Sequence, residues 1–177
     1  MTETTESVRG DRSERKIDDD KQYEDKRGKS ILSNVYGNLY EDSAGTDITL
    51  TDADTFYQWV SSTVGLTSGV GYVVGDAGDD DLTIGVSGGG VYMVLISASF
   101  SGSNNSAIHG AVFLNGSEVD SIQFHRKLGG SDLGNAGASG LLILEAGDVI
   151  DLRFSSDTGP TTVTIEHCHL TIVRISA

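Results

Sequence analysis

Residues Leu141 to Phe154 read Leu-Leu-Ile-Leu-Glu-Ala-Gly-Asp-Val-Ile-Asp-Leu-Arg-Phe, two strands and a turn. Leu141 to Leu144 are apolar at every position, so a strand there offers water no face and has to be covered on both sides. Ala146-Gly147-Asp148 interrupts the run with turn chemistry. The second half alternates: Ile150, Leu152 and Phe154 share one face, and Asp151, Arg153 and Ser155 the other. One strand buried twice beside one buried once implies a β-sandwich in which one sheet faces solvent and the other faces something else.

The rest of the chain fits an all-β plan. Twenty-three Gly and one Pro in 177 residues point to short strands joined by many turns. Phe56 to Val60 is rich in strand-favouring aromatics, although a run of that length also suits a helical turn. Strands are expected at Gly71 to Val74 and, after an acidic turn at Asp76 to Asp81, at Leu82 to Val86. Val91 to Phe100 is the strongest, with Val91, Met93 and Leu95 on one face and Tyr92, Val94, Ile96, Ala98 and Phe100 on the other. Ile108 to Leu114 and Asp120 to Leu128 flank Asn115-Gly116, a hairpin signal. A polar loop is expected from Gly129 to Ala138. The last strand, Thr161 to Ile175, sets Val163 and Ile165 on one face, Leu170 and Ile172 on the other, and Val173 and Ile175 back on the first. The fold class read from these residues is therefore an all-β domain of about eight to ten antiparallel strands, a β-sandwich or a jelly roll.

Residues 1 to 30 differ in kind. They hold nine acidic and eight basic side chains, with Met1, Val8, Ile17 and Tyr23 the apolar ones. Such a segment buries too little surface to offset its ordering entropy, and it reads as an arm, disordered alone or ordered on a partner. Arg9, Arg12, Arg15, Lys16 and Tyr23 are its candidate contacts. Residues 31 to 55 read as a linker and lead-in, and 56 to 177 as the jelly-roll domain.

Of the chain's 26 acids and 12 bases, 17 acids and four bases remain once the arm is set aside. A body this acidic is a poor match for nucleic acid, which needs clustered Lys and Arg. The charged N-terminus and the lack of an apolar run of about 18 residues argue against a signal peptide or membrane span. Cys168 is the single cysteine, which excludes an internal disulfide and reads as a small buried apolar residue.

Three motifs in order, Gly90-Val91-Tyr92-Met93-Val94, Val112-Phe113-Leu114-Asn115-Gly116 and Leu142 to Leu152, resemble the trimeric jelly rolls of the tumour-necrosis-factor and complement-head type, closest to the versions found in bacteriophage structural proteins. The resemblance covers about residues 50 to 176 and implies an inner sheet facing a threefold axis. Its strands would match Val91 to Phe100, Leu141 to Leu144 and Thr161 to Ile175, the same three that lack a polar side. The trimer contact is accordingly expected at Val91, Met93, Leu95, Leu141, Ile143, Leu170 and Ile172.

Two constellations have metal-ligating residue types. His167 and His169 stand two apart on a strand, hence on one face, and Asp76, Asp79 and Asp81 sit in one carboxylate-rich turn. Both ligand sets are incomplete, so no metal and no cofactor is expected. Gly-x-Ser-x-Gly is absent, and the Asp148 and Asp151 carboxylates have turn and solvent-face explanations, so an enzyme is not expected. His109 and His125 have no recognisable partners in sequence. The expected role is a virion-surface structural protein, a homotrimeric capsid decoration or head-fibre protein. Its arm would bind the major capsid protein or another virion protein, with no nucleic-acid or membrane partner. The alternative is the glycan-recognising tip of a tail fibre, against which stands the lack of aromatic residues in the loops Ser101 to Ser106 and Gly129 to Ala138.

Overall fold

Two antiparallel sheets stack into a sandwich in a computed structural model that describes residues 34–60, 62–102, 105–129 and 132–177. The elements in chain order are β1 (Tyr36–Leu50), β2 (Tyr57–Gln58), β3 (Thr63–Thr67), β4 (Val73–Asp76), β5 (Asp81–Ile84), β6 (Gly90–Gly102), β7 (Ala107–Leu114), β8 (Ser117–Lys127), β9 (Gly134–Leu144), β10 (Val149–Ser156) and β11 (Thr161–Ser176). One sheet has the order β3-β1-β11-β6-β9; the other has the order β4-β5-β10-β7-β8, with β2 paired to β10. No helix among the described residues is long and apolar enough to cross a membrane.

The core lies between the sheets and follows the period-two pattern of the strands. Tyr92, Val94, Ile96, Ala98 and Phe100 of β6 point inward, as do Ile150, Leu152 and Phe154 of β10. Phe100, Phe124 and Phe154 form an aromatic triangle with ring centres 6.1–6.3 Å apart. Gly110 belongs to this packing: a Cβ there would run into the ring of Phe124. Asn115 and Gly116 both take positive φ, the primed turn that a two-residue hairpin requires. The turn is tied to its neighbour between β9 and β10, where Asn115 Nδ2 donates to Asp148 Oδ1 at 2.8 Å and Asn115 Oδ1 accepts from the Val149 amide at 2.9 Å.

Several sequence expectations change. The stretch read as linker and lead-in contains β1, fifteen residues that pair along β11 from Tyr36↔Val173 to Leu50↔Thr161. Its mixed composition hides alternation, because Leu39, Glu41, Ile48 and Leu50 face inward while intervening positions are largely polar. The loop expected at Gly129 to Ala138 ends early: Gly134 to Ala138 already belong to β9, held by backbone pairing to β6 from Phe100 to Ile96. Phe56 to Val60 contributes only the two-residue β2. The strands number eleven among the described residues.

Strand β11 holds the largest departure. A register shift between Ile165 and His167 inserts one residue, so the side-chain alternation reverses there. Val163 and Ile165 before it, and Cys168, Leu170 and Ile172 after it, all point into the core. Leu170 and Ile172 therefore pack between the two sheets, and their place on the outward face falls to Val173.

Candidate functional site

The outward face of the five-stranded sheet is the unusual surface of this molecule. On β6 the residues opposite the core-facing set are Val91, Met93 and Leu95. On β9 they are Leu141 and Ile143, which pair with Met93 and Val91. On β11 Val173 pairs with Met93, and Ile175 lies beyond it. Val91 is half-buried, whereas Leu141 and Ile143 are 58% and 72% exposed, and Met93, Leu95, Val173 and Ile175 are exposed as well. Leu141 to Leu144 are thus covered on one side by the second sheet and open on the other. Scattered exposed hydrophobics are ordinary; a contiguous group on three adjacent strands marks an interaction surface. Of the seven expected contact residues, five lie here. Leu170 and Ile172, both 0% exposed, lie in the core for the reason given above.

The same face becomes polar along the strands. Leu95, Ser97, Gly137, Ser139, His169 and Thr171 border a shallow depression of about 510 Å³. His167 and His169 share this face, as their spacing requires, but each is turned to a neighbour on β1. His167 Nδ1 lies 3.3 Å from Asp42 Oδ1, and the His169 ring stacks on Tyr40 with centres 6.4 Å apart.

The acidic turn is occupied by its own backbone. Asp76 Oδ1 accepts the amides of Gly78 at 2.7 Å and Asp79 at 3.3 Å, the local side-chain bonding that Asp brings to turns. Asp80 takes positive φ and its Oδ1 accepts the Ser62 amide at 2.6 Å. Partial burial, and then the charges of Asp79, Asp76 and Asp151, push the Asp81 carboxyl above its usual range, against a hydrogen bond with Thr83. Among the described residues no three His, Cys, Asp or Glu side chains gather around one point. Asp76, Asp79, Asp81, His167 and His169 are accordingly not part of any such group of three.

Two arrangements could not be read from the sequence. Glu41, 2% exposed, accepts the indole N–H of Trp59 through Oε2 at 2.9 Å, while its Oε1 has no partner. Opposite it on β11 lies Cys168, whose thiol burial pushes well up, with Glu41 adding to the effect. A thiol so placed is unreactive. On the outer face of the other sheet, His109 and His125 are paired across β7 and β8, with ring centres 4.2 Å apart at 74°. Beside them Asp151 holds Arg153 through two bonds, Nε to Oδ1 at 2.7 Å and Nη2 to Oδ2 at 2.9 Å. The guanidinium lies 4.3 Å above the Phe113 ring. This ion pair accounts for the Asp151 carboxylate, and the turn bonds account for Asp148.

The arm residues Arg9, Arg12, Arg15, Lys16 and Tyr23 lie outside the described residues.

No family model and no curated protein matches the chain. Solved structures do. The Eiger TNF of S. frugiperda superposes with a TM-score of 0.61 at 13% identity, covering 81% of this chain and 93% of that one. Murine APRIL, solved at pH 5.0, superposes with a TM-score of 0.55 at 12% identity, covering 79% and 99%. These likenesses establish a TNF-like jelly-roll fold.

Proposed function

We propose that this chain is a non-enzymatic structural protein of a phage-like virion, a homotrimer that decorates the particle surface and is attached by its N-terminal arm. The observation that carries self-association is the outward apolar face of Met93, Leu95, Leu141, Ile143 and Val173. A cyclic assembly of copies removes such a face from water without leaving an open end. The trimeric jelly rolls that the sequence resembles supply the number three. The particle role is supported by the phage-type character of that resemblance and by an arm with nine acids and eight bases, suited to a partner surface and not to a core. Catalysis is left out of the proposal because Asp76 and Asp148 serve their turns and Asp151 its ion pair with Arg153.

Analytical ultracentrifugation of the full chain at micromolar concentration is the test of assembly, and the expected species is a trimer. A stable monomer at that concentration would remove the basis of the proposal. Electron cryo-microscopy of native particles tests location, with threefold density projecting from the capsid surface as the expected result. Density at a tail tip would transfer the protein to host recognition.

A further inference from the structure

The imidazoles of His109 and His125 form a close pair of metal-ligating side chains on the outer face of the other sheet. They are directly opposite in the β7–β8 ladder and their rings are in contact. His109 is half-buried and His125 exposed. The Nε2 atom of His109 is buried and has no hydrogen-bond partner, which for a polar atom is a destabilising situation. Asp157, Asp54 and Glu118 surround His109 with negative charge.

We infer that His109 and His125 together form a binding site for one borderline divalent transition-metal ion, such as Zn²⁺, Ni²⁺ or Cu²⁺. The protein supplies two imidazole nitrogens and water supplies the remaining positions. Imidazole suits these ions better than it suits Ca²⁺ or Mg²⁺, which prefer oxygen.

Geometry sets what must move. Metal–nitrogen bonds of about 2.0–2.1 Å in a tetrahedral arrangement place two ligating ring centres roughly 5 Å apart. From 4.2 Å, the exposed His125 has to swing outward by on the order of 1 Å and turn its edge towards His109, a rotamer change open to a surface side chain. The three carboxylates are not ligands in this arrangement; they offset the ion's charge. A bound ion would pin edge strand β8 to β7.

His167 and His169 are the competing pair. Each already has a neighbour, Asp42 and Tyr40 respectively, whereas the His109 Nε2 atom has none.

The test uses the untagged full chain with Ni²⁺ and Zn²⁺ chlorides in calorimetric titration and thermal melts. One ion per chain is expected, with a melting-temperature rise of about 3–6 °C at tenfold the dissociation constant. His125→Gln, at an exposed position, should abolish both without altering the metal-free melt, and His109→Gln should do the same to binding. The double variant His167→Ala with His169→Ala should keep both. Ca²⁺ at the same concentration should give no comparable shift. Retention of binding in His125→Gln, loss in the His167/His169 double variant, an equal response to Ca²⁺, or no response to either metal would each overturn the inference.

Discussion

Trp59 Nε1 donates to Glu41 Oε2 at 2.9 Å, joining the two layers of the sandwich. Glu41 belongs to β1 of one sheet, while Trp59 is anchored to β10 of the other by the hydrogen bond that its backbone N–H donates to the Leu152 carbonyl. Both side chains are buried. Removing the indole N–H leaves a carboxyl in the core without its donor, at a cost of about 1–3 kcal/mol. Trp59→Phe should lose this much plus the packing of the smaller ring. Glu41→Gln keeps an acceptor for the indole and should be far milder. Urea denaturation of the two variants checks this; a Glu41→Gln loss as large as that of Trp59→Phe would show that the carboxyl itself, and not merely an acceptor for the indole, is required here.

The apolar face predicts a contrast between exposed and core positions that look alike in sequence. Leu95 and Ile143 are open in the single chain, so Leu95→Asp or Ile143→Asp should leave each subunit folded and dissociate the assembly, where the charge would be buried without a partner. Leu170→Asp places the same charge between the sheets and should unfold the subunit, with an expected loss of about 4 kcal/mol or more. Sedimentation and circular dichroism on all three variants check this. An Ile143→Asp variant that still sediments as the wild-type assembly would exclude this face as the contact.

How far the sequence reveals these features depends on whether the backbone keeps a regular register. Strands β6 and β10 are unbroken and their side chains alternate as the sequence implies, but Asp151 and Ser155 on the outer face of β10 are buried, not open to solvent as expected. Strand β11 contains a bulge, so Leu170 and Ile172 change sides without any change in composition. The His109 and His125 pair was hidden for a similar reason. The tight turn pairs Leu114 with Ser117, and that register carried onward would place His109 opposite Ile122. An irregularity between Ala111 and Phe113 advances the partner strand by three residues and brings in His125. Glu41 gave no signal because a buried acid beside Asp42 looks like any solvated charge until β1 is placed against β11. The three motifs that resemble trimeric jelly rolls lie on β6, β7 and β9–β10, where the β6–β9 and β7–β10 registers run without a break.

Asp81 sets a small acid dependence. Its carboxyl is raised above 3.8, so the folded chain binds its proton more tightly than the unfolded chain. Stability therefore falls as pH rises through the window above 3.8 and stays lower at neutral pH. Because the group is partly exposed, screening limits the effect to a few tenths of a kcal/mol. Asp81→Asn should raise the neutral-pH melting temperature by about 1 °C, and the gain should vanish near pH 3.8. Calcium should move the wild-type melt by a similarly small amount, since Asp76 already serves the Gly78 and Asp79 amides. A calcium shift of many degrees would show that this turn rearranges around the ion.

The proposed attachment through the arm rests on its composition. Seventeen charged side chains and four apolar ones within residues 1 to 30 contribute almost nothing to a hydrophobic core. A chain beginning at residue 31 should therefore keep the melting temperature and sedimentation of the full protein to within experimental error. Its binding to undecorated particles should fall steeply, because in the proposed trimer three arms would act together and even weak single contacts would become tight where the lattice spacing fits. Losing all three removes that gain at once. Raising salt from 0.05 to 0.5 M should weaken attachment of the intact protein as exposed ion pairs are screened, and should matter little for the truncated one. Truncated trimers that decorate particles as fully as the intact chain would sink the anchoring role and move attachment to the jelly roll itself.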